Sequence, residues 1–238
     1  MKERNQILLT ILILLSVFAV LLTVTHYTPF KQNEIATSIV GNNTNGTVYK
    51  TICGNTSSND TVVLILGVHS FESGIHNATN KTIINLTQEN NLSKRYVVYF
   101  IKLNMNASGI DTDDYQTNRH MGELLANQYI VKDLIQYNPI AVIDVHEMEE
   151  YWEPTEFIEV MSTNSSTAKE YGHKLSEDTG IQEYTFTEGT SPEWVTLPIA
   201  DEGFDTLLFE TAQEDSNEKK INTSQKLIHS VDSFKVIK

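Results

Sequence analysis

Three short stretches place a histidine or a carboxylate directly behind an apolar run. Leu64-Ile65-Leu66-Gly67-Val68 leads into His69-Ser70-Phe71-Glu72, Val142-Ile143-Asp144-Val145 leads into His146, and Thr206-Leu207-Leu208-Phe209 leads into Glu210. A His-x-x-Glu pair can turn both side chains toward one point on a tight turn or the first turn of a helix. Imidazole nitrogen with carboxylate oxygen is a good donor pair for zinc. Asp144 lies two residues before His146, on the same face of an extended chain, where its carboxylate can orient a neighbouring imidazole. A carboxylate at the end of an apolar strand, as at Glu210, is costly unless paired or functional, and partial burial raises its pKa toward the range of a general base. Arg119 follows a polar stretch from Gly109 and precedes a helical pattern; its guanidinium can grip a carboxylate in a bidentate fork. Taken singly, each pattern also has an ordinary reading: a His and a Glu in a surface loop, a satisfied His at the core edge, a Glu reaching solvent, an Arg in a surface ion pair.

The elements that must position these residues read as α/β. Thr61–Val68, Tyr96–Leu103 and Ile140–Val145 are continuous apolar runs of the kind a strand buried on both faces shows. Phe157–Met161 and Thr206–Phe209 read as two further strands. Met121–Tyr137, Ser166–Asp178 and Ile221–Phe234 carry helical spacing, the last with a cap expected at Asn222. Strands alternating with helices predict a mixed, mostly parallel sheet with helices on both faces. Sites in such sheets lie just beyond the carboxyl ends of the strands, where His69, His146 and Glu210 fall.

The chain has 238 residues and a formal charge of −14, enough for one stable core and a surface that disfavours nucleic acid as a partner. Cys53 is the single cysteine, which excludes an intrachain disulfide and any thiolate metal cluster. Ile7–Val24 is 18 uncharged residues preceded by Lys2 and Arg4. This segment, within residues 1–25, is expected to be an uncleaved transmembrane helix with the rest of the chain outside, a cleaved signal being the alternative. Residues 26–58 are polar and read as a linker, placing the domain at 59–238. Eleven Asn-x-Ser/Thr sequons, at Asn42, Asn45, Asn55, Asn59, Asn77, Asn80, Asn85, Asn91, Asn106, Asn164 and Asn222, suit a glycosylated exterior domain.

The ordered set His69-Ser-Phe-Glu72, Asn118-Arg119, Asp144-Val-His146 and Phe209-Glu210 resembles the zinc carboxypeptidases and the related desuccinylase and aspartoacylase enzymes. Gly189-Thr-Ser-Pro-Glu-Trp194, leading to Gly203 and the Glu210 strand, is similar to that family's Gly-Ser-x-Asp-Trp segment. The likeness spans about residues 60 to 215. It implies that His69, Glu72 and His146 bind Zn²⁺ with one position left for water. It further implies that Glu210 is the general base, that Asn118 and Arg119 hold the substrate's terminal carboxylate, and that Tyr184 stands near the place of a substrate-capping tyrosine. The implied activity is hydrolysis of a terminal amide bond in a peptide or N-acyl amino acid.

Two departures qualify that reading. The family's additional oxyanion-stabilising arginine has no counterpart, since no Arg lies between Asn104 and Asn118, so Arg119 or another group must serve. Glu147 replaces a usual small residue and would set an extra anion beside the metal unless it points away. A surface glycoprotein of the same fold that binds peptide or cell-wall ligands without turnover is the competing expectation. His76, His120, His173 and His229 are expected on the surface or on helices.

Overall fold

The computed structural model describes residues 34–104, 115–187 and 192–235. The expected membrane helix, Asn106, the Gly109–Asp111 stretch and Gly189–Ser191 lie outside the described residues. Among those described, no helix is long and apolar enough to cross a membrane.

Seven strands form one sheet in the order β1-β2-β4-β3-β5-β7-β6. They are β1 (Ala36–Asn43), β2 (Gly46–Gly54), β3 (Thr61–Leu66), β4 (Arg95–Leu103), β5 (Ala141–Met148), β6 (Phe157–Val160) and β7 (Thr206–Ala212). The pairings β4–β3, β3–β5 and β5–β7 are parallel, while β1–β2, β2–β4 and β7–β6 are antiparallel. The expectation of a mostly parallel sheet therefore holds for the centre only. Both flanks are antiparallel because β2 and β6 are entered by short connections that reverse the chain, whereas the central strands are joined through helices.

Residues 36–54, expected within a linker, instead form the β1–β2 hairpin, in which Asn43 and Gly46 pair across a two-residue turn. The sequence concealed it because β1 is an edge strand: nearly all of it is exposed, so it needs no apolar face. In β2 the β-branched and aromatic run Thr47-Val48-Tyr49-Lys50-Thr51-Ile52 supplies strand propensity, with Val48 buried and its neighbours half-buried, but it lacks a continuous apolar run.

Helices cover both faces. Helix α1 (Ser73–Gln88), α4 (Ser166–Thr179) and α6 (Asn217–Asp232) pack on one side, where Leu64, Leu66, Ile143, Val145, Leu207 and Phe209 point. On the other side lies α2 (Tyr115–Leu125), which continues through a π-helical turn (Ala126–Ile130) into the short α3 (Val131–Leu134); α5 (Leu197–Asp201) joins it over Val63, Ile65 and Val142. Helix α1 went unrecognised because its Asn- and Thr-rich sequence has poor helix propensity. It forms because Ile75, Thr79, Ile83 and Leu86 recur at helical spacing and are buried. Helix α6 starts four residues earlier than expected: its cap is Ser216, whose hydroxyl accepts from the Lys219 N–H (3.2 Å), not Asn222.

Candidate active site and metal centre

The carboxyl ends of β3, β5 and β7 bring the three expected strand-end residues together. After β3, Gly67 turns the chain with φ +79°, packed so closely on Ile101 that a Cβ would collide with its carbonyl oxygen. That turn carries the chain through Val68 to His69, and Glu72 becomes the residue that starts α1. His146 lies near the end of β5, and its register partner on β7 is Glu210. Helix α2 closes on the same point: its Gly122 meets the Val68 backbone so tightly that a Cβ would collide with the Val68 carbonyl.

His69 Nδ1 and His146 Nδ1 lie 3.1 Å apart. Glu72 bridges them, with Oε1 2.7 Å from His69 Nδ1 and Oε2 2.8 Å from His146 Nδ1. All three residues are buried, and their ligand atoms fall within 4.8 Å of one another. The opposite ring nitrogens are each backed by a carboxylate: His146 Nε2 is 3.0 Å from Asp144 Oδ1, and His69 Nε2 is 3.2 Å from Glu123 Oε1. Two imidazoles and a carboxylate converging at one point, each imidazole oriented from behind by an acid, fit a zinc ion. Asp144 takes the orienting position expected of it. Glu123 was not foreseen; the only signal was an acid among apolar neighbours in the helical run from Met121.

The charges are strongly coupled. Burial disfavours the ionised Glu72, but the imidazoles of His69 and His146 outweigh it and hold its carboxyl well below the usual range. Burial also disfavours a charged His146, yet Asp144 and Glu72 raise its pKa well above that of free imidazole. Glu210 is buried, its Oε2 has no hydrogen-bond partner, and burial pushes its pKa up to about 8.

Of the remaining expected residues, Arg119 reaches this centre directly. Arg119 donates from Nη1 to Glu72 Oε1 (2.9 Å). Asn118 is fully buried, with neither amide atom hydrogen-bonded. Tyr184 is exposed and packs on Phe157 at 5.7 Å between centroids, and Phe157 is the register partner of Glu210 on β7. Glu147 does not add an anion at the centre. Its side chain leaves the opposite face of β5 and pairs with Lys220 at 2.7 Å. His76, expected at the surface or on a helix, is on α1 and is buried, with Nε2 donating to the Val145 carbonyl (2.7 Å).

No family model matches the sequence, and no curated protein matches it. Solved structures do. A candidate carboxypeptidase A from Shewanella denitrificans superposes with a TM-score of 0.59 over 88% of this chain and 66% of its own, at 13% identity. The fold is that of the zinc carboxypeptidases. The murein-tripeptide amidase of Escherichia coli O157 matches with a TM-score of 0.53 over 85% of this chain and 94% of its own, at 12% identity. A tripeptide-bound cell-shape determinant from Helicobacter pylori matches at 0.50 over 84% and 54%, at 11% identity. The chain thus spans just under two thirds of the first carboxypeptidase and nearly all of the amidase. In this fold the carboxyl ends of β3, β5 and β7 lie side by side, which is where the candidate residues gather.

Proposed function

We propose that this domain is a zinc-dependent hydrolase that cleaves a terminal amide bond in peptides or N-acyl amino acids. The observation that supports it most is the convergence of His69, Glu72 and His146 with Glu210 paired beside His146 in the sheet. A zinc ion bound there supplies Lewis acidity and lowers the pKa of water.

The chain's own residues would do the rest. In its ionised form Glu210 accepts the proton of the attacking water at Oε2, which has no protein partner, and passes it to the leaving amine. Asp144 and Glu123 keep the two imidazoles turned toward the metal. Asn118 offers a buried amide without a partner, a costly arrangement unless a ligand's carboxylate completes it. Arg119, the next residue in the chain, now held by Glu72, could bind that carboxylate or the developing oxyanion if a bound metal took up Glu72.

Peptides with a free carboxyl terminus, tripeptides included, are the substrates to try first, since two solved proteins of this fold are a murein-tripeptide amidase and a tripeptide-bound protein. The ten described sequon asparagines are all exposed or partly exposed, which supports work outside the cell as a glycoprotein held by the N-terminal segment. Release of amine from such peptides by the zinc-loaded full chain tests the proposal, and its loss in Glu210→Gln tests the mechanism.

The engagement of Arg119 by Glu72, with no arginine between Asn104 and Asn118 to serve the oxyanion, favours a binding-only protein as the second reading. Zinc and peptide binding with no turnover in the wild type would decide for it.

A further inference from the structure

Glu72 begins helix α1, yet its side chain caps nothing. A residue at that position normally accepts a backbone N–H from the first turn. Here both oxygens are already used. Oε1 meets His69 Nδ1 and Arg119 Nη1, while Oε2 meets His146 Nδ1 and the Glu147 N–H (3.2 Å). The first turn of α1 would be left with unmet donors inside the protein.

Glu147 fills the place from another element. Its Oε1 accepts the Ile75 N–H at 2.7 Å, the bond a capping side chain of α1 would make. The same oxygen is held by Lys220 Nζ at 2.7 Å, and Lys220 also donates to the Gln213 carbonyl (2.7 Å). Both side chains are almost fully buried. They pack so close to the helix start that a Cβ on Gly74 would come within 2.5 Å of Nζ and 2.7 Å of Oε1. Gln213 ties the cluster to two strand ends and the ligand loop: its N–H donates to the Met148 carbonyl (2.9 Å) and its side-chain amide to the Phe71 carbonyl (3.3 Å). One buried ammonium therefore links the end of β5, the segment after β7 and the start of α1.

We propose that Glu147, held and neutralised by Lys220, caps helix α1 in place of Glu72 and so frees the Glu72 carboxylate to serve as a metal ligand. Glu147 and Lys220 are positioning residues; neither touches the metal or substrate. The proposal rests on the metal-site reading above.

The test uses the full chain with Glu147→Ala, Glu147→Gln, Lys220→Met and Lys220→Arg. Two quantities are measured: zinc affinity by chelator competition, and deuterium exchange of the α1 first turn in the metal-free protein. Glu147→Ala and Lys220→Met are expected to weaken zinc binding by about 10- to 100-fold, the usual effect of removing a group that orients a ligand. Both should speed exchange at Ile75, and Lys220→Arg should restore most of each. Glu147→Gln keeps an acceptor for Ile75 and should fall between, which decides the matter where Glu147→Ala does not fold. Folded variants that bind zinc as the wild type does, with exchange unchanged, overturn the proposal. A wild type that binds no zinc refutes the hydrolase reading instead. Exchange at Ile75 then decides the capping claim alone, and unchanged exchange overturns it.

Discussion

Glu210→Gln separates stability from catalysis, and the structure fixes the sign of both effects in advance. In the metal-free protein the Glu210 pKa is pushed from 4.5 up to about 8, chiefly by burial. The folded state therefore holds a proton that the unfolded chain has lost between those two values. Below pH 4.5 the group is neutral in both states and costs nothing differential. As pH rises from 4.5 toward 8 the unfolded state gains, and above about 8 the penalty levels off. At 1.36 kcal/mol for each tenfold change in proton affinity, the penalty is about 3 kcal/mol at pH 7 and about 5 kcal/mol at its plateau. Glutamine has no such penalty. Its amide nitrogen takes the place of Oε2, which has no hydrogen-bond partner in the acid it replaces. Denaturant unfolding in EDTA from pH 5 to pH 9 should show the two proteins near-equal at pH 5. The variant should become the more stable by a few kcal/mol toward pH 8. With zinc and substrate the same variant should lose turnover by about 10²- to 10⁴-fold, the usual contribution of a general base. Parallel stability curves across that pH range would refute the burial argument, and unchanged turnover would refute the assigned role.

Further outcomes follow from other buried groups. His76 is fully buried and its pKa is pushed down to about 4, mainly by desolvation, so it stays neutral while the unfolded chain protonates near 6.5. Metal-free stability should fall as pH drops through 6.5 and level off near 4, a loss of about 3 kcal/mol that His76→Gln removes from the unfolding curves. Cys53 is fully buried and burial pushes its thiol up to about 11. The native protein should be inert to a thiol reagent at pH 8, with one equivalent reacting on denaturation; fast native labelling would place β2 elsewhere. Gly122→Ala forces a Cβ into the Val68 carbonyl and must push α2 off the ligand loop. A cost of about 1–3 kcal/mol is expected, with weaker zinc binding by titration, because Glu123 moves away from His69.

The sequence disclosed what depends on long buried apolar runs. Strands β3, β4 and β5 carry long apolar runs because both faces of the sheet are covered, and the polar residues at the carboxyl ends of such runs are few enough to be judged one by one. That is why His69, Glu72, His146 and Glu210 stand out as candidates once their order is set beside that of the zinc carboxypeptidases. The β1–β2 hairpin escaped because an exposed edge strand carries no hydrophobic signature. Helix α1 escaped because its burial overrides an unfavourable composition. Groups whose meaning depends on distant partners were invisible for a different reason. Glu123 matters only because α2 packs against Val68, which brings its carboxylate to His69, 54 residues earlier in the chain. Lys220 matters only because α6 lies beside α1. Glu147 looked like a disturbance at the metal because its neighbour in sequence is a ligand. The alternation of a strand sends it to the other face, where it meets a cation.

The central claim is that His69, Glu72 and His146 form one metal centre. The most direct test is a zinc titration of the full chain stripped with chelator, read by competition and repeated on His146→Ala. One tightly bound zinc per chain, lost in the variant, is the predicted result. No zinc bound by the wild type, or equal binding by His146→Ala, would contradict the account.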